Sequence, residues 1–290
     1  MNLLNISELT PSRIINLFHL TDYLKSMKPE KKILEGKTFI LFFPESSIRT
    51  RITFEKGIED LGGKSILFPS ESLNKKEELS DVIKYINNWA DGVVIRHRDF
   101  LKMKDLSQHS LIPIINAMSS QNHPCEILSD LYSIREIRPN FRDLTYTFVG
   151  PQGNIVNSWV EIAKVLNLKF QHVCSAGNRI CDDDENYRYS TELEKKLVGS
   201  DVVLTDSLPT EYQSNEYISQ YQINLERMRL TEQDAILNPC PPFFRGQEVS
   251  EDVINSEYFV GHSFKKNLLY VQQAIILQCL GVFEEGTDII

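Results

Sequence analysis

The residues best suited to chemistry follow three apolar runs. The first cluster, Ser46-Ser47-Ile48-Arg49-Thr50-Arg51, comes after the run 37–43. It places two hydroxyls before a helix whose first turn carries two arginines. Free backbone N–H groups and the helix dipole favour an anion there. Arg49 and Arg51 would add charge-assisted, forked donors. Positive side chains oppose the dipole at a helix N-terminus, so an anion is what makes their placement reasonable. The plainer alternative is a serine N-cap flanked by surface arginines. The second cluster is Arg96-His97, directly after the run 92–95. The third is His123-Pro124-Cys125-Glu126 at the start of another helical pattern. A lone histidine is more often structural than catalytic. Three donor or cationic groups, each at the end of a strand, argue instead for one pocket.

The elements that must position these clusters alternate. Thr10-Pro11 reads as an N-cap and first helical position, followed by Ile14, Leu17, Phe18 and Leu24 on one face. Residues 37–43 read as a buried strand. Residues 48–61 read as a helix with Phe54, Ile58 and Leu61 inward, ended by Gly62-Gly63. Further strands are expected at 64–68, 92–96 and 111–116, with a helix through Leu79, Val82, Ile83 and Ile86 and another through Ile127, Leu128, Leu131 and Ile134. Arg138-Pro139-Asn140 breaks the pattern and marks an expected domain boundary. Beyond it, strands are expected at 144–149, 169–175, 201–205 and 235–238, and helices at 154–166, 193–198 and 268–280. Strands alternating with helices predict an α/β fold of two doubly wound parallel-sheet domains of similar size, linked by helices. The expected division is 1–138 and 139–265, with 266–290 packing back on the first domain. Ligands in such sheets lie outside the carboxyl ends of the strands, where the three clusters fall.

Composition narrows the partners. With 290 residues the chain is long enough for two cores, and 41% hydrophobic content is ordinary for a globular protein. A formal charge of −9 argues against nucleic acid and anionic membranes as partners, because both need a basic field. No leader-like pattern is seen at residues 1–9, and the longest apolar run is too short to span a bilayer. The five cysteines, Cys125, Cys174, Cys181, Cys240 and Cys279, are scattered without metal-ligand spacing. Reduced thiols in a cytoplasm are the simplest expectation.

The clusters together resemble the aspartate/ornithine carbamoyltransferase family. Ser47-Ile48-Arg49-Thr50-Arg51 is similar to its carbamoyl phosphate signature, and Arg96 to its arginine after the third strand. His123-Pro124-Cys125-Glu126-Ile127-Leu128-Ser129-Asp130 resembles its His-Pro-x-Gln-x-Leu-x-Asp motif, with Glu126 in place of the usual glutamine. The resemblance implies that Ser47, Arg49 and Thr50 hold the phosphate of carbamoyl phosphate. It implies that Arg96, Thr50 and His123 point donors at the carbonyl oxygen, as an oxyanion hole. Arg49 would also stabilise the departing phosphate. Glu126 would accept a hydrogen bond from the carbamoyl NH₂, its charge offset by Arg49, Arg51 or Lys76. The family's trimers complete each site with a lysine-bearing loop from a neighbouring subunit. Ser72-Leu73-Asn74-Lys75-Lys76-Glu77 resembles that loop, with Lys76 as the reaching residue and Lys75 as the alternative. A homotrimer is therefore expected, with no metal or organic cofactor.

The acceptor half is a mosaic. Val149-Gly150-Pro151-Gln152-Gly153-Asn154 is similar to the ornithine branch's strand-to-helix turn, and Asn154 would contact the amino acid's α-groups. Asp206 would orient an ammonium group. The aspartate branch's Arg-x-Gln pair is missing around Thr205-Asp206-Ser207-Leu208, which disfavours aspartate. Leu208, Pro209, Thr210, Glu211 and Tyr212 nevertheless replace the ornithine branch's tryptophan and Ser-Met-Gly turn. Asn238-Pro239-Cys240-Pro241-Pro242 stands where that branch has His-Cys-Leu-Pro, the segment from Arg245 leans towards the aspartate branch, and Arg245 is expected to contact the acceptor with Asn154 and Asp206. Carbonyls beside Pro241 would accept from the carbamoyl NH₂, with Pro241 or Pro242 supplying a cis bond. Cys240 is either a packed small hydrophobe or a site residue. His123, Asp206 and Cys240 are the candidates for assisting deprotonation of the amine. The expected acceptor is an ornithine-like amino acid, with a polyamine or specialised amine as the alternative. A catalytically silent carbamoyl phosphate binder is the reading of a different class. A dehydrogenase reading of 149–158 fails for want of the third glycine.

Overall fold

The computed structural model describes residues 1–26 and 32–282. They form two compact units, one running from Met1 to Ser133 and resuming at Lys265, the other spanning Ile134–Phe264. The breaks lie a few residues from the expected 138/139 and 265/266. The helix Pro124–Ile137 continues through the first of them, and Arg138-Pro139-Asn140 ends that helix rather than the packing unit. Residues 283–290 of the expected returning segment lie outside the described residues.

In the first unit a parallel sheet has the order β2-β1-β3-β4. Its strands are β1 (Thr38–Phe43), β2 (Lys64–Pro69), β3 (Gly92–Arg96) and β4 (Ile114–Met118). The helices are α1 (Pro11–Ser26), α2 (Arg49–Asp60), α3 (Leu79–Ile86), α4 (Phe100–His109) and α5 (Pro124–Ile137). From Phe39 to Phe43 β1 is apolar and buried because both of its faces are covered. Ile40 and Phe42 enter a core with Ile83, Val93, Ile95, Phe100, Met103 and Leu106. Phe43 meets Phe54 of α2, with ring centroids 6.2 Å apart. The strand β4 starts three residues later than periodicity suggested. Pro113 has no N–H to donate, so pairing resumes at Ile114. Helix α4 escaped the sequence reading, although Asp99 caps it by accepting from the Leu101 N–H at 3.0 Å.

The second unit holds a parallel sheet in the order β7-β6-β5-β8-β9. Its strands are β5 (Thr145–Val149), β6 (Lys169–Val173), β7 (Tyr187–Ser190), β8 (Val202–Thr205) and β9 (Ile236–Pro239). Between them run α6 (Asn154–Leu166), α7 (Leu193–Leu197), α8 (Asn215–Tyr221) and α9 (Leu225–Met228), and α10 (Glu251–Ile254) follows β9. One face of the sheet buries Tyr146 against Trp159, which stacks on Phe170 at 6.4 Å. The other buries Val149, Val173, Val203, Leu237, Tyr217 and Tyr221. The chain then returns to the first unit, where α11 (Asn267–Leu280) packs on α1 and α2. There a Cβ on Gly57 would lie 3.2 Å from the Gln273 side chain, so the glycine permits the close approach of the two helices.

Candidate functional site

In the first unit, three strand ends deliver their residues to one edge of the sheet. After β1 the chain turns, with the Ser47 N–H donating to the Pro44 carbonyl at 2.9 Å. Ile48, not a serine, occupies the N-cap of α2, and no side chain caps that helix. The plainer N-cap reading of Ser46-Ser47 is thereby removed. Ser47 and Thr50 are instead buried hydroxyls, both accepting from Nη1 of Arg96, at 3.1 and 3.3 Å. Since each oxygen accepts from the guanidinium, each O–H is turned elsewhere and can serve an incoming oxygen. Arg49 is exposed at the start of α2. Arg51 is bonded to Glu55 one turn on, at 3.1 Å, along the helix surface.

The turn before His123 is held by buried amides. Asn116 Nδ2 donates to Asn122 Oδ1 at 2.6 Å, Ser119 Oγ donates to the same oxygen at 2.7 Å, and Asn122 Nδ2 donates to the Leu4 carbonyl at 3.0 Å. His123 is buried, and its pKa falls to about 4. Burial dominates that shift, and the charges of Arg96 and Lys265 add to it against the pull of Glu126. The imidazole is therefore neutral near pH 7, which suits a hydrogen-bond donor and makes a weak base. Cys125, also buried, has its thiol pushed well up by desolvation.

Glu126 differs from the expectation. Burial alone would raise its pKa, but Lys265, and then His123 and Arg49, hold it below the ordinary carboxyl value. Lys265 Nζ donates to Glu126 Oε1 at 2.9 Å and to Asp130 Oδ1 at 2.6 Å. The direct partner is thus a lysine 139 residues away in sequence, not Arg51 or Lys76. The sequence reading missed Lys265, since no local signal connects it to α5. Lys75 and Lys76 are exposed, with no hydrogen bond or ion pair holding either among the described residues. Their loop is anchored at its start. Nε2–H of His97 donates to Asn74 Oδ1 at 3.1 Å, the tautomer fixed by Nδ1 accepting from the Asp99 N–H. His97 is thus a loop anchor rather than part of the Arg96 cluster.

In the second unit the ends of β5, β8 and β9 carry the candidates. His172 positions the turn after β5. It is fully buried, donates from Nε2 to the Gly150 carbonyl at 2.8 Å and accepts at Nδ1 from Tyr187 Oη at 3.1 Å. Desolvation lowers its pKa to about 4. Gly150 has φ +152, a region that favours glycine. Asn178 Oδ1 accepts from the Gln152 N–H and from Tyr212 Oη, both at 3.1 Å, tying the same turn to the loop after β8. Asn154, half-buried, opens α6 just beyond.

Asp206 follows β8, and Cys240 follows β9, its N–H donating to the Thr205 carbonyl at 2.9 Å. The two therefore emerge from neighbouring strand ends. Cys240 is buried, and the cis bond is Pro241–Pro242. Glu248 is a further carboxylate of this half. Burial pushes its pKa up to about 7, the charge of Asp206 pushes the same way, and the Phe244 N–H, donating at 2.5 Å, opposes them. Arg245 does not join this group. It pairs with Glu251 at 3.1 Å near the surface and lies 5.7 Å over the Phe243 ring. No group of acidic, histidine and cysteine side chains among the described residues is arranged to hold a metal ion.

Comparison with known proteins matches both halves. Residues 1–136 match the model of the aspartate/ornithine carbamoyltransferase carbamoyl-P binding domain, and residues 142–279 that of the Asp/Orn binding domain. The chain belongs to the aspartate/ornithine carbamoyltransferase family, whose members are transferases. It is 31% identical to the ornithine carbamoyltransferase of Desulfotalea psychrophila, over 86% of this chain and 88% of that one. It is 30% identical to that of Syntrophotalea carbinolica, over 90% and 93%. Among solved structures, the ornithine carbamoyltransferase of Burkholderia thailandensis superposes with a TM-score of 0.89 at 26% identity, covering 96% of this chain and 98% of the other.

Proposed function

We propose that the protein transfers the carbamoyl group of carbamoyl phosphate to the amine of a small, ornithine-like amino acid, releasing phosphate. The observation that carries this reading is Arg96 bonded to Ser47 and Thr50 at the strand ends that also present Arg49 and a neutral His123. In the proposed reaction the neutral amine attacks the carbonyl carbon, and a tetrahedral intermediate expels phosphate. Arg96, Thr50 and His123 donate to the carbonyl oxygen as it gains charge. Ser47, Arg49 and Thr50 hold the phosphate, and Arg49 supports it as it leaves. Glu126 accepts from the carbamoyl NH₂.

Ornithine is favoured because the relatives described above carry that name and because Asp206, beside Glu248, suits an ammonium group. Asn154 would meet the α-groups. An alkyl amine has a pKa of about 10, so a base assists. His123, Asp206 and Cys240 are the candidates, and the low pKa of His123 makes it a weak base. The exposed Lys75-Lys76 loop fits a site shared within a trimer, Lys76 reaching a neighbouring subunit. A cytoplasmic setting agrees with the five cysteines, none of which is in a disulfide among the described residues.

The test is phosphate release from carbamoyl phosphate with a panel of amines including ornithine, aspartate and putrescine. Release with ornithine supports the proposal. Release only with putrescine moves the acceptor to a polyamine. No release with any amine, despite carbamoyl phosphate binding, identifies a silent binder.

A further inference from the structure

Glu126 and Asp130 lie one helical turn apart on α5, and both are buried. Two carboxylates so close would repel each other and any phosphate beside them. Lys265 bridges both, and its side chain is itself largely enclosed, at 18% exposure. It is the first residue of the returning segment, two residues before the start of α11. The bridge takes up Glu126 Oε1, and no hydrogen bond takes up Oε2 among the described residues. Glu126 also shares the electrostatic surroundings of His123 and Arg49, two of the groups assigned to the donor. A carboxylate in this position is therefore charge-matched on one oxygen and open on the other.

The geometry points to Lys265 as a positioning residue of the donor site, which balances the charge of Glu126 so that its second oxygen accepts from the carbamoyl NH₂ without repelling the phosphate. This rests on the reading that the first unit binds carbamoyl phosphate. Lys265 acts through Glu126 and does not itself touch the donor. It also makes the glutamic acid workable where a neutral amide would have needed no counter-charge. The substitution at Glu126 and the lysine at Lys265 are then one feature of the site.

A double-mutant cycle read by calorimetry with carbamoyl phosphate tests it. Lys265→Met is expected to weaken binding by about a hundredfold, the scale for stranding one member of a buried charge pair. In the Glu126→Gln background the same change is expected to cost at most about tenfold, the remainder belonging to Asp130. In steady-state assays Lys265→Met raises KM for carbamoyl phosphate while KM for the amine stays put; a mere structural brace would lower thermal stability and weaken both substrates alike. Equal losses in both backgrounds would mean that Lys265 contacts the donor directly, and no loss would mean that it is a bystander; either overturns the inference. Should Lys265→Met not fold, Lys265→Arg decides: with the positive charge kept beside Glu126 and Asp130 it is expected to bind carbamoyl phosphate within about threefold of wild type, and a tenfold weakening overturns the inference. Failure of the wild-type protein to bind carbamoyl phosphate would instead overturn the functional reading.

Discussion

The two units solve the same problem with opposite charge. At its strand ends the first unit gathers Arg49, Arg96 and a neutral His123, and the carboxylates beside them are balanced by Lys265. In the second unit Asp206 and Cys240 stand at strand ends, Glu248 lies in the loop after β9 within the field of Asp206, and Arg245 is drawn away to Glu251. On the proposed reading, one half suits an anion and the other a cation. The same parallel sheet serves both because the fold supplies only the edge; the residues placed there set the sign.

The contrast can be broken most sharply at Arg96. Arg96→Ala is expected to lower kcat by about a thousandfold, since it removes a donor to the developing oxyanion and loosens Ser47 and Thr50. A loss below tenfold in steady-state kinetics would remove Arg96 from the reacting centre. Arg49→Ala should weaken carbamoyl phosphate by about a hundredfold in calorimetry, the charge-assisted contacts to phosphate being lost; unchanged affinity would defeat its assignment. On the other half, Asp206→Asn should raise KM for the amine by about tenfold and leave carbamoyl phosphate binding untouched. A change in donor affinity instead would blur the division of labour.

The folding of the second unit offers a pH test. Neutral His172 is favoured in the folded state, with a pKa of about 4 against 6.5 in the unfolded chain. Its contribution is complete above pH 6.5 and is lost as pH falls through 4, where it costs about 3 kcal/mol. Unfolding measured across that range should therefore show a shallower acid loss in His172→Asn than in wild type, whatever its stability at pH 7. Equal slopes would show that the imidazole is not what titrates. The smallest effect is expected at Arg51→Ala. Its surface pair with Glu55 should be worth less than about 0.5 kcal/mol in thermal or denaturant unfolding.

Much of this was legible in the chain. Apolar runs such as Phe39-Ile40-Leu41-Phe42-Phe43 announced buried strands, and Gly62-Gly63 marked the end of α2, because period and turn chemistry are local properties. The Ser47–Arg51, Arg96 and His123–Asp130 clusters could be read for the same reason, each lying within a few residues of a strand end. Weaker local signals were overlooked: Asp99 capping α4, and the four-residue edge strand β7.

What the sequence determined by itself was which residues stand at the strand ends, and so the alternation of elements and the candidate anion site. Only the tertiary structure decided their partners. Lys265 reaches Glu126 across 139 residues, His172 holds the Gly150 turn across 22, and Arg245 is taken by Glu251. Spacing along the chain carries the period of a helix or strand. Charge balance and burial depend on distances in space, which exist only once the sheets have closed on their helices.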